Sequence, residues 1–168
     1  MNNDILIQFA NSFSIDPVLD VTLEKRNENT WAVVQSQNTV LVKNEGLGSF
    51  ESEPMPSSRS EEFIKNSRFD SIQEAIMYYH EWRRNHCFII YSNNKRWNWY
   101  TYSDNIEDVL DEWENLENID NRPTSRKRSG TWILVGKNYE VIKTYKNKES
   151  SEILEFEDKF AELIKSIK

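Results

Sequence analysis

Few residues in this sequence combine into a recognisable reaction centre. Nucleophilic catalysis needs a nucleophile, a base and an orienting group in contact. The only histidines are His80 and His86, and the only cysteine is Cys87. His86 and Cys87 are adjacent in a segment that reads as the start of a strand, where neighbouring side chains point to opposite faces. They are therefore poorly placed to act as a pair. His80 falls on an amphipathic helix beside Tyr78 and Tyr79, where a structural role is expected. Two histidines and one cysteine without ligand-like spacing give no metal-binding signature. Gly46-Leu47-Gly48 lacks the further glycine and the helix of a dinucleotide loop. No cofactor is implied, and the expectation is a protein that is not an enzyme.

Three other groups of residues could engage a partner. From Asp104 to Asp120 there are eight acids and no base. On a helix, Glu107, Asp108, Asp111, Glu112 and Glu114 share one arc opposite an apolar stripe of Ile106, Val109, Leu110, Trp113 and Leu116. Such an arc could present phosphate-like charge to the basic groove of a nucleic-acid-binding protein. The expected role of such an arc on its own is a solvated outer face. The second group is cationic: Arg122, Arg126, Lys127 and Arg128 could bind nucleic acid, aided by stacking on Trp97 and Trp99, or could neutralise the acidic helix, and the expected place of the tryptophan face is the core. The third is the loop containing Glu53, Arg59 and Arg68. Here the arginines could hold an anion or, the expected role, pin the loop to Glu53 and Glu61.

These residues need elements to hold them. Hydrophobic patterning and turn chemistry give three hairpin-plus-helix modules. The first has strands near Val21–Leu23, Thr30–Val34 and Thr39–Val42. Residues 44–60 then read as a long loop. A short helix over 59–66, capped by Ser58-x-x-Glu61, precedes a longer one over 71–84, capped by Ser71-x-x-Glu74. The second module has a strand over Cys87–Tyr91 and a return strand in which Trp97, Trp99 and Thr101 alternate with Asn98, Tyr100 and Tyr102. A helix over 105–118 follows, capped by Asp104-x-x-Glu107. The third has strands at Thr131–Val135 and Tyr139–Lys143 and a helix over 150–167. Thr30–Val34 aligns with Thr131–Val135, and Val40-Leu41 with Val141-Ile142 at the same offset. Trp31 and Trp132 are thus expected to be equivalent and buried. Duplication and shared hairpin chemistry account for the match equally well.

The expected class is α+β: an antiparallel sheet of six to seven strands with helices packed mainly on one face. The 168 residues suit one domain over 1–168 or two halves, 1–85 and 86–168, with a basic linker at 121–129. The net charge of −7 argues against general affinity for a phosphate backbone. A mean hydropathy of −0.77 with six tryptophans implies a core built from few, large side chains. A single cysteine and no membrane-length apolar run lead to the expectation of a cytoplasmic protein.

Residues 51–72 carry a more distinctive pattern. Trp31 stands in a hairpin, followed by Glu53-Pro54, Pro56-Ser57-Ser58-Arg59, Arg68-Phe69 and Glu74-Ala75. This resembles small phage and prophage proteins in which a tryptophan-bearing hairpin leads to E-P-x-P-S-S-R and then to an arginine-phenylalanine before a helix. The resemblance covers about residues 30–84 and implies a mobile-element source without implying an activity. Taken with the acidity and small size, it leads to the expected function: a phage or mobile-element protein that binds a host protein stoichiometrically. The sharpest version is an inhibitor of a bacterial defence system, such as an anti-CRISPR protein. The alternative is a nucleic-acid-binding accessory protein.

Overall fold

The computed structural model describes residues 11–27, 29–36, 38–44, 46–93, 96–120, 131–146 and 158–162. The protein is α+β, with nine antiparallel strands among these residues, divided between two sheets. The chain forms two compact units, Met1–Trp82 and Arg83–Lys168. The strand count exceeds the expected six to seven because the short strands Ser12–Asp16 and Ser49–Ser52 fall outside the segments read as strands.

The sheet of the first unit is a meander, β1 (Ser12–Asp16), β2 (Val21–Asn27), β3 (Thr30–Gln35), β4 (Thr39–Val42) and β5 (Ser49–Ser52). β5 falls in the stretch read as loop. It pairs with β4 from Thr39↔Ser52 to Val42↔Ser49, so polar Ser49, Glu51 and Ser52 gain strand geometry from a partner rather than from propensity. Central β3 is buried at four successive positions, Trp31 to Val34. A strand covered on both faces reads as a continuous apolar run rather than an alternation. Ala32 and Val34 join Val40 and Val42 under Phe63 of α1 (Glu61–Asn66). The cap of α1 is Ser60, whose hydroxyl accepts from the Phe63 amide at 3.0 Å. The expected Ser58 instead lies in a 3-10 turn, Pro56–Ser58.

α2 (Ile72–Arg84) begins as expected, with the Ser71 hydroxyl accepting from the Glu74 amide at 3.0 Å. Its buried residues include Ala75, Tyr79 and Trp82. Phe50 of β5 meets the rings of Tyr79 and Trp82 edge-on, at 6.3 and 5.0 Å. Trp82 Nε1 donates to Gly48 O at 2.8 Å, and the Tyr78 hydroxyl donates to Leu47 O at 2.5 Å. Gly48 sits at φ +91°, and a Cβ there would lie 2.2 Å from Val42 O, so only glycine fits this turn. Buried Asp16 accepts from the amides of Val18 and Leu19 and from the Tyr79 hydroxyl, which satisfies a carboxylate that could not otherwise leave water.

The sheet of the second unit has the order β7-β6-β8-β9: β6 (Cys87–Asn93), β7 (Arg96–Ser103), β8 (Thr131–Val135) and β9 (Val141–Lys146). α3 (Ile106–Asp120) packs on one face, where Val109, Trp113 and Leu116 bury against Cys87, Ile89 and Leu134. Phe88 and Ile90 alternate to the other face. There Arg83 lies over the rings of Phe88, Tyr139 and Phe160, the last in the helical residues 158–162. Burial pushes the Arg83 guanidinium down to about 10, with Tyr139 opposing the shift. Most of the expected helix over 150–167 lies outside the described residues.

The two matched hairpins share a register point. Val34 pairs with Val40, and Val135 with Val141. Their tryptophans differ. Trp31 is buried, with Phe13 edge-on at 6.0 Å, and exchanges two 2.8 Å backbone hydrogen bonds with Phe69. Trp132 is only half-buried, contrary to the expectation, because it stacks on Tyr91 at the margin of the α3 core. Trp31→Ala should therefore cost about 3–5 kcal/mol of unfolding free energy, and Trp132→Ala only about 1–2 kcal/mol. Urea unfolding of the two variants checks this, and equal losses would contradict it.

Candidate functional site

α3 is set up by local chemistry. The Asn105 side chain accepts from the Glu107 amide at 3.0 Å, and the Ser103 hydroxyl accepts from the Asn105 amide at 3.1 Å. Asn105 is thus the cap, where Asp104 was expected, since it directly precedes the first helical residue. Glu107 and Asp108 in the first turn suit the positive end of the helix dipole, whereas the last turn has no base to complement the negative end. Glu107–Asp111 and Asp108–Glu112 add like-charge pairs costing a few tenths of a kcal/mol each. Burying Val109, Trp113 and Leu116 contributes roughly 1.5–3 kcal/mol per side chain, so packing outweighs repulsion and the helix forms. Trp113 Nε1 donates to Glu117 Oε1 at 2.6 Å, putting one acid to structural use.

All five acids singled out in the sequence, Glu107, Asp108, Asp111, Glu112 and Glu114, are exposed. Asp108, Asp111 and Glu112 also line a cleft of about 410 Å³ with Thr101, Tyr102 and Ser103, and the Ser103 hydroxyl donates to Asp108 Oδ2 at 3.0 Å.

β7 departs from simple alternation. Its register against β6 shifts between Ile89↔Thr101 and Ile90↔Trp99, leaving Tyr100 as an extra residue. Such a bulge reverses which side chains face which way. Trp97, Trp99 and Tyr102 consequently share the face of Phe88 and Ile90, while Thr101 is turned to the α3 face. Trp99 and Tyr102 pack edge-on at 5.2 Å, and Trp97 is 4% exposed. A ring so buried has no face to offer a nucleic-acid base. The displayed rings are others: Tyr100, 45% exposed, meets Trp132 edge-on at 5.2 Å, and Trp132 stacks on Tyr91 at 4.8 Å. The tandem Tyr-Thr-Tyr after Trp99 carried no sequence signal of the bulge. Arg122, Arg126, Lys127 and Arg128 lie outside the described residues.

In the first unit, Glu53 gathers three arginines. Arg26 Nη2 donates to Glu53 Oε1 at 2.8 Å, Arg59 Nη2 lies 3.3 Å from the same oxygen, and Arg68 Nη2 donates to Oε2 at 3.2 Å. Arg59 Nε also closes back on Pro54 O at 2.8 Å. Arg59 and Arg68 therefore meet on Glu53, while Glu61 forms no ion pair among the described residues. Arg26 was missed because its partner lies 27 residues away and nothing local marks it. Burial pushes the Arg68 guanidinium below the ordinary arginine range; Glu53 opposes this, and Arg26 adds to it. The pattern Trp31, Glu53, Pro54, Arg59, Arg68, Phe69 thus forms one structural assembly, with the Trp31–Phe69 bridge beside the Glu53 cluster in the chain.

The candidate nucleophile and bases do not converge. Cys87 is buried in the α3 core, and burial pushes its thiol up, with the Lys137 amide and charge opposing. His86 packs edge-on against Tyr102 at 5.9 Å, on the opposite face of the sheet from Cys87. His80 is buried beside Tyr79, with ring centroids 5.4 Å apart. Among the described residues, no three His, Cys, Asp or Glu side chains group to hold a metal, and no helix is long and apolar enough to cross a membrane.

No family model, curated protein or solved structure matches this chain.

Two outcomes follow from this geometry. Glu53→Ala leaves three guanidiniums without their shared counter-charge and should cost about 3–5 kcal/mol by urea unfolding. Cys87 should resist a thiol-specific chromogenic reagent at pH 8 in the native protein and react fully once unfolded. Rapid native labelling would contradict its burial.

Proposed function

We propose that this chain is a non-catalytic protein of a phage or mobile element that binds a host protein stoichiometrically in the host cytoplasm. In its sharpest form it inhibits a bacterial defence system, as an anti-CRISPR protein does, by occupying a basic nucleic-acid groove. The observation that carries the reading is α3. It is anchored by Val109, Trp113 and Leu116 and exposes Glu107, Asp108, Asp111, Glu112 and Glu114, with no base between Asp104 and Asp120. A pre-formed acidic face raises the association rate with a basic partner without an ordering cost at binding. The half-exposed Trp132 and exposed Tyr100 border the same core and offer the aromatic anchors that dominate interface energetics. The resemblance over residues 30–84 supports the mobile-element source.

The nucleic-acid-binding alternative is less well supported. Trp97 is buried, and the rings that are displayed belong to the face carrying α3, whose carboxylates repel a phosphate backbone.

The deciding experiment reverses the five acids to lysine. The melting temperature should fall by only a few degrees, about what losing the Ser103–Asp108 hydrogen bond implies. Immobilised wild-type protein should capture from host lysate a basic protein that added nucleic acid displaces, and the reversed variant should not. Equal capture by the folded reversed variant would refute the acidic-face reading.

A further inference from the structure

Arg68, one of the three arginines on Glu53, also lines a cleft of about 550 Å³ on the first unit, together with Thr30, Lys43, Lys65, Asn66 and Asp70. We propose that this cleft binds a phosphate dianion, free or as the monoester group of a small molecule. The proposal does not depend on the acidic face of α3.

Three cations and one acid border the cleft, in a chain whose net charge is −7. Asp70 is the one acid in the lining, and Glu53, which pairs with Arg68, is shared with Arg26 and Arg59, so cations outnumber carboxylates at the cleft. Folding places these cations deliberately close. The Lys43 amide donates to Asn66 O at 2.7 Å and Lys43 Nζ donates to Arg68 O at 2.7 Å, which staples the end of β4 to the end of α1.

The donor set favours phosphate over a carboxylate. Planar carboxylates are best held by a bidentate guanidinium fork. The fork of Arg68 is occupied, Nη1 by the Ser67 carbonyl and hydroxyl and Nη2 by Glu53, so Arg68 offers the cleft charge rather than a free fork. The remaining donors are ammonium groups, point charges suited to a tetrahedral oxyanion. Lys43 uses one of its three protons on Arg68 O and holds its ammonium 4.5 Å from the Phe69 ring centroid, whereas exposed Lys65 has no ion pair among the described residues. The volume lies within the range of small-molecule sites and exceeds what a bare phosphate fills. Asn66 and Asp70 would then face the organic part of an ester.

The test titrates the full chain with inorganic phosphate and, separately, with adenosine 5′-monophosphate, by calorimetry at low and moderate salt. Saturable binding that weakens with salt is expected. Lys65→Glu should weaken it at least tenfold. Lys143→Glu, which changes an exposed lysine of β9 and alters the net charge equally, should leave it unchanged. Circular dichroism melts of both variants establish that they fold. Tighter binding of the nucleotide identifies an ester as the source, and equal or tighter binding of inorganic phosphate identifies the free ion. No saturable binding of either probe, or the same loss in both variants, would overturn the site.

Discussion

The first unit depends on one carboxylate. Glu53 takes guanidiniums from β2, from the turn after the 3-10 residues and from the segment between α1 and α2. Each of those arginines would be costly to leave half-buried alone, and a buried ion pair is favourable only when the remaining hydrogen-bonding groups are satisfied. Arg59 and Arg68 meet that condition through the Pro54 carbonyl, the Ser67 carbonyl and the Ser67 hydroxyl. The placement of α1, the Trp31–Phe69 bridge and the cleft at Lys43 and Lys65 all follow from the anchoring of this connection.

In the second unit the governing balance is apolar burial against charge repulsion. α3 concentrates carboxylates that disfavour an isolated helix, and it persists because its other face completes the core over Cys87, Ile89 and Leu134. A capped helix anchored by packing displays its charged face with little freedom to rearrange.

Each unit gathers charge locally against its own balance, since Met1–Trp82 carries 6 basic and 13 acidic residues and Arg83–Lys168 carries 15 of each. Cations collect around Glu53 in one unit, and acids cover α3 in the other. The two surfaces suit ligands of opposite sign, so a partner with a basic groove and a phosphate-bearing ligand would not compete for the same residues.

Local patterns in the sequence determined the α+β class, the amphipathic helices α2 and α3, the outward arc of Glu107 to Glu114 and the hairpin partners Val34–Val40 and Val135–Val141. Each of these depends on residues within one or two turns or one hairpin. The turn at Ser71 was legible for the same reason, while Ser58 and Asp104 were displaced by nearby Ser60 and Asn105, which offer equal capping chemistry. Only the tertiary structure decided the rest. β5 is a strand because β4 lies beside it, and the β7 bulge follows from register against β6. Trp132 is half-exposed because of where the α3 core ends, and Arg26 joins Glu53 across 27 residues. These features arise from contacts between distant segments, and periodicity and propensity encode only what a residue prefers among its neighbours in sequence.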